Sequence, residues 1–365
     1  MEEEKKLYPL KFHPIAETFA WGGERIAGRY AKSFVVSDDQ GHESKLEVGA
    51  KVAQCHEIAD LGYRDSLIRD GWLAGNSISE VMDMYVDRVV GDHVFESYGR
   101  QFPVGIRFID ATSRTPLMVH PDDTIAAERY DFLGKSKLWY VIEASKDARI
   151  YTGFRRDVTA AELYSACQDG TVRELLHSTA VRGGEHFLIT PGTVHAAEGV
   201  LMLEVAESSP LDFCLYNWGT DTSEDEFDET LGLVEALDFI NYTAHPGMQP
   251  AQSDGIVSRL CQEREFTVSS IKLSSGLQIN SESFDSFLIY TCVAGRASLK
   301  VTQEDCAGEY TLRAGETVLV PAEVQEFVLA PLAARTQLIE VMVERHEEPD
   351  EYINPNAAAE TGDAD

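Results

Sequence analysis

Long apolar runs are missing from this sequence. No stretch of 18 or more apolar residues occurs, so no bilayer-spanning helix is expected. The opening residues, Met1-Glu-Glu-Glu-Lys-Lys, hold none of the apolar character a secretory signal needs, which points to the cytosol. Positive charge is scarce: 31 Lys and Arg stand against 62 Asp and Glu, a formal net charge of −31. So acidic a chain repels nucleic acid and anionic lipid, because neutralising phosphate drives both kinds of binding. An anionic ligand would need cations gathered locally. The six cysteines, Cys55, Cys167, Cys214, Cys261, Cys292 and Cys306, form no CxxC pair. Without a secretory signal they read as reduced, mostly buried thiols and not as a zinc framework.

What is present is a succession of short apolar runs parted by turn residues. Val104–Ile109, Leu138–Ile142, Arg149–Thr152, His186–Ile189 and Val200–Val205 are expected strands, and such spacing predicts a sandwich or barrel. Further strands are expected at Phe266–Leu273, Ser286–Val293, Ala297–Val301, Thr317–Val320, Glu326–Leu329 and Thr336–Val343. Helices are fewer. Ser77 with Glu80, and Thr159 with Glu162, are capping boxes. The first opens a helix with Ile78, Val81, Met82, Tyr85 and Val89 on one face; the second opens a helix towards Gln168. A third helix is expected over Glu229–Ile240.

Gly184-Glu-His-Phe-Leu-Ile-Thr-Pro-Gly resembles Gly315-Glu-Thr-Val-Leu-Val-Pro-Ala-Glu. Two copies of one β-unit imply two related barrels. The reading is a mainly β chain of two β-barrel (jelly-roll) units with a few helical insertions. The first unit covers 7–220 with a helical insertion at about 157–178. A linker helix and loop follow at 221–254, then a second, degenerate unit at 255–345 and a disordered acidic tail at 346–365. Only the first copy of the repeat runs on to a histidine, His195; the second has Gln325-Glu326 there. His120, in Val119-His-Pro-Asp-Asp123, follows another expected strand. Two histidines at strand ends of one barrel are candidate metal ligands.

These blocks carry a resemblance to the class I (cupin-type) mannose-6-phosphate isomerases. Its elements are Pro9-Leu-Lys-Phe with Trp21-Gly-Gly, Ile106-Arg-Phe-Ile-Asp-Ala111, Val119-His-Pro-Asp-Asp123, Gly134-Lys-Ser with Trp139-Tyr-Val141, and Pro191-Gly-Thr-Val-His195-Ala. Glu207-Ser-Ser and Leu215-Tyr-Asn-Trp-Gly219 follow in order, so the likeness covers most of residues 7–345. It implies a double-cupin fold and interconversion of mannose 6-phosphate and fructose 6-phosphate, with zinc held by Gln, His, Glu and His. His120 and His195 stand at the two His positions and Lys135 at that of a pocket lysine. Lys135 and Lys137 are the candidate catalytic residues, and Lys135 and Glu204 the candidate substrate-binding ones. The partner implied is a small sugar phosphate; oligomeric state is not legible.

The match departs from the family at three positions. Met118 stands where Gln is expected, Lys137 where Glu is, and Thr220 where an arginine is. An ammonium cannot bind a cation and a thioether is a poor zinc ligand. Glu198, Glu204 or Glu207 could replace a lost carboxylate if the fold placed one there. Lys137 could turn out to solvent, as long cations do, or inward, putting positive charge roughly where the metal would sit. The isomerase reading thus stands beside two others: a sugar-binding cupin without catalysis and with little or no zinc, or a different reaction using Lys135 or Lys137 as acid or base.

Overall fold

The computed structural model describes residues 5–30, 32, 34–37, 43–45, 50–219, 229–245, 251–252, 255–303 and 306–345. Thr220, part of the 221–254 segment and the tail 346–365 lie outside the described residues. The chain is mainly β. A ten-stranded sheet runs in the order Ile15–Glu17, Gln54–Ile58, Val104–Ala111, His195–Glu207, Lys137–Phe154, Glu185–Ile189 and Ala251–Gln252. Leu117–Val119, Phe213–Tyr216 and Leu176–Ala180 pair onto it from the side. A five-stranded and a four-stranded sheet form the second barrel from Val257 to Met342. All these strand pairs are antiparallel. Among the described residues no helix is long and apolar enough to cross a membrane.

The repeat is one β-unit used twice. Gly184 and Gly315 both take positive φ, +93° and +89°, where a Cβ would be strained. In each copy the acidic residue reaches back three positions: Glu185 Oε2 accepts from Arg182 N and Glu316 Oε2 from Arg313 N, both at 2.8 Å. His195 begins one strand and Glu326 the corresponding one. The second barrel is filled by Leu299, Phe327, Leu338 and similar side chains, which leaves its interior to apolar packing.

The two barrels share a core. Phe102 and Phe287 meet with ring centroids 4.8 Å apart, and Leu10 exchanges both backbone hydrogen bonds with Leu319. Both expected capping boxes form, at Ser77 and Thr159. Three details differ from the sequence reading. Tyr85 breaks the first helix (φ −138°, ψ 24°), so the Ile78–Val90 face is not continuous, and a short helix, Asp92–Tyr98, follows it. Leu138–Ile142 and Arg149–Thr152 are parts of one strand, Lys137–Phe154. The polar stretch Glu143–Asp147 reads as a turn but is accommodated by register shifts against His195–Glu207. Short strands such as Val257–Gln262 and Gly308–Arg313 were not expected either; they lie at sheet edges, where polar residues mask the alternation.

Of the six cysteines, five are buried and Cys306 is half-buried.

Candidate functional site

Strand alternation builds the site. In Lys137–Phe154, Leu138 and Tyr140 face the core shared by the barrels, while Trp139 and Val141 face into the first barrel. Lys137 has the parity of Trp139 and so enters the barrel. The neighbouring strands obey the same rule. Leu201, Leu203 and Val205 join the shared core, and Met202 and Glu204 line a cavity together with Arg107, Lys137 and Trp139. The cavity measures about 440 Å³.

Lys137 is therefore not turned to solvent; it is 2% exposed. Its Nζ donates to Asp212 Oδ1 at 2.5 Å and lies 3.5 Å from His195 Nε2. Lys135 Nζ donates to the other oxygen of the same carboxylate, Oδ2, at 2.8 Å. Asp212 thus bridges both lysines. It ends the segment that links His195–Glu207 to Phe213–Tyr216. Ser209 pins that segment: its hydroxyl donates to Leu133 O at 2.8 Å and accepts from Leu211 N at 3.3 Å.

His195 Nδ1 lies 2.9 Å from Thr193 O, which assigns the proton to Nδ1 and leaves Nε2 an acceptor facing Lys137. Trp139 packs edge-on against the ring, centroids 5.4 Å apart. Burial first, and then the Lys137 charge, bring this imidazole down to about 3, so it is neutral. His120 is buried next to it, ring centroids 5.1 Å apart, and is held well below its ordinary value by the same causes. Neither ring nitrogen of His120 has a hydrogen-bond partner among the described residues. Met118 pairs directly opposite His195.

The charges in the cavity wall are paired but uneven. Arg107 Nε lies 2.6 Å from Glu204 Oε1, and Trp139 Nε1 donates to Glu204 Oε2 at 2.7 Å. Burial alone would raise Glu204; the Arg107 and Lys137 charges outweigh it and bring the carboxyl to about 2. Burial would raise Asp212 too, but Lys135, Lys137 and Arg107 hold it well below its usual value. Burial lowers Lys135 to about 8, against the pull of Asp212. Further out, Glu17 pairs with Arg64 at 2.6 Å and with His56 at 3.0 Å. Burial pushes the Glu207 carboxyl well up, disfavouring its charge. Four cations, Arg64, Arg107, Lys135 and Lys137, line the cavity with the carboxylates Glu17, Glu204, Glu207 and Asp212. The cavity thus gathers cations in a chain of net charge −31.

The residues present do not fit zinc. His195 has only Nε2 free to bind a metal, and a zinc about 2.0–2.1 Å from that nitrogen would lie against the Lys137 ammonium. Met118 offers a thioether. Glu198 is not available to replace the lost carboxylate, because it holds Arg114 at 2.9 Å and the Tyr151 hydroxyl at 3.1 Å. Glu204 is held by Arg107, and Glu207 Oε2 accepts from Ser136 N at 2.6 Å. No group of three or more His, Cys, Asp or Glu that could hold a metal occurs among the described residues. His120 and His195 come together as expected, ring centroids 5.1 Å apart, but an ammonium occupies the space beside the pair.

The structure thus brings Lys135, Lys137, Glu204 and His195 into one wall, with His120 behind it. Sequence reasoning missed Asp212 and Arg107. Asp212 carries no motif, but a lysine at an inward-facing strand position calls for a buried anion nearby. Arg107 shares the inward parity of Ile109 and could have been found from it.

Comparison with known proteins agrees with this architecture. A family model described as mannose-6-phosphate isomerase, cupin domain, matches residues 257–342. The mannose-6-phosphate isomerase ManA of Bacillus subtilis is 26% identical over 330 residues, which span 88% of this chain and 95% of that protein. The crystal structure of the mannose 6-phosphate isomerase from Bacillus subtilis superposes with a TM-score of 0.74 at 21% identity, covering 92% of this chain and 99% of that one. A zinc-bound mannose 6-phosphate isomerase superposes with a TM-score of 0.68 at 14% identity, covering 93% of this chain and all of that one. At such identities the superpositions speak for the fold alone. Taken with the ordered sequence blocks and the matched second barrel, they lead to one conclusion: along most of its length the chain is similar to the class I, cupin-type mannose-6-phosphate isomerases, whose fold it shares.

Proposed function

We propose that the first-barrel cavity binds a phosphorylated hexose without zinc, its lysine pair supplying the positive charge that the family's metal supplies elsewhere. The observation that carries this is Lys137, buried and held between Asp212 and His195 where a metal ligand is expected. An ammonium has three donors. Lys137 spends one on Asp212 and turns one towards His195, and Lys135 spends one on Asp212. The rest are free to meet ligand oxygens. Glu204 accepts from sugar hydroxyls through lone pairs that Arg107 and Trp139 leave open. Calorimetry in the presence of a chelator tests the reading. Mannose 6-phosphate and fructose 6-phosphate should bind and mannose should not. Binding that appears only when zinc is added would overturn it.

One observation favours turnover as a second reading: Lys135, at about 8, is near the range in which a side chain both takes and gives a proton at neutral pH. Its free amine would take the C2 proton of the aldose and return it to C1 while the O2 hydroxyl proton passes to O1, with Lys137 stabilising the charge that develops on O1 in between. A coupled assay for fructose 6-phosphate with the chelator present distinguishes binding from isomerisation.

A further inference from the structure

We infer that Asp212 is a specificity-determining residue: an internal carboxylate that occupies the lysine pair and sets the cluster's net charge at one positive, not two. The inference rests on the reading of this cavity as an oxyanion site. Asp212 takes one donor from each ammonium, at 2.5 and 2.8 Å, as two oxygens of a bound phosphate or carboxylate would. It lines the cavity, so an arriving anion meets the same two cations. The segment that carries it is also anchored by Ser209, three residues before it. A ligand oxyanion therefore shares the lysines with Asp212. A singly charged oxyanion balances this cluster, and a doubly charged one such as a sugar phosphate binds it less tightly than it would with the internal carboxylate neutralised.

The test is a charge ladder read with inorganic phosphate and with mannose 6-phosphate. Asp212→Asn should bind both at least about tenfold more tightly than the wild type. Lys137→Met/Asp212→Asn, which restores the single net charge, should return to near the wild-type affinity. If unopposed lysines make Asp212→Asn unstable, the phosphate-induced rise in its melting temperature is the readout, and that rise should exceed the one in the wild type. Weaker or unchanged phosphate affinity in Asp212→Asn would overturn the inference and assign Asp212 to holding the lysines in place. The underlying reading fails separately. Tighter phosphate but no sugar phosphate binding in any form removes the sugar and keeps Asp212. Equal sugar phosphate binding by wild type and variant keeps the sugar and removes Asp212.

Discussion

Met118→Gln combined with Lys137→Glu should bind zinc stoichiometrically where the wild type does not. The two changes give His120 and His195 two oxygen donors and remove the ammonium beside His195 Nε2. Four N and O donors meet what tetrahedral zinc requires. The two ring nitrogens of His120 now without a partner would gain one. Lys137→Glu removes one positive charge and adds a negative one, and a divalent metal cation restores both, while Asp212 keeps Lys135. Metal analysis after zinc loading and desalting checks this, followed by the coupled assay with and without zinc. Zinc bound with fructose 6-phosphate formed only in the double variant would mark the wild type as a binding protein. A double variant that holds no zinc would contradict the placement of Lys137 at the metal's position.

Lys137→Met alone should weaken mannose 6-phosphate binding by about tenfold to a hundredfold, roughly 1.4–2.7 kcal/mol. The charge count gives the direction. With Lys137 gone, Lys135 and Asp212 form a neutral pair and the cluster has no excess charge for a phosphate. Stability should change less than in the usual case, where removing one partner of a buried ion pair costs about 3–5 kcal/mol. Asp212 keeps its 2.8 Å contact with Lys135, and methionine fills the vacated space. Calorimetry measures the first effect and urea denaturation the second.

Much of this was legible in the sequence, and the reasons are local. The apolar runs of Val200–Val205 and Phe266–Leu273 are strands because both faces of each meet apolar packing, the first between the shared core and the cavity wall. The capping boxes act over three residues and needed no tertiary context. The turn glycines of the repeat announced two barrels. Lys137 was ambiguous as a lone residue. Its inward orientation follows from its parity with Trp139 and Val141 in the folded strand. Asp212 was not legible, because its partnership with Lys137 spans 75 positions and its own segment is irregular. The unbroken run of Lys137–Phe154 was hidden for a different reason: a polar stretch in a long bent strand has the composition of a turn.

The central claim is that a lysine pair bridged by Asp212 occupies the place of a metal. The zinc content of the wild-type chain, purified from zinc-replete cells and measured by mass spectrometry, tests it most directly. The account predicts zinc far below stoichiometric, with mannose 6-phosphate still bound. Stoichiometric zinc that Asn in place of both His120 and His195 removes would contradict it.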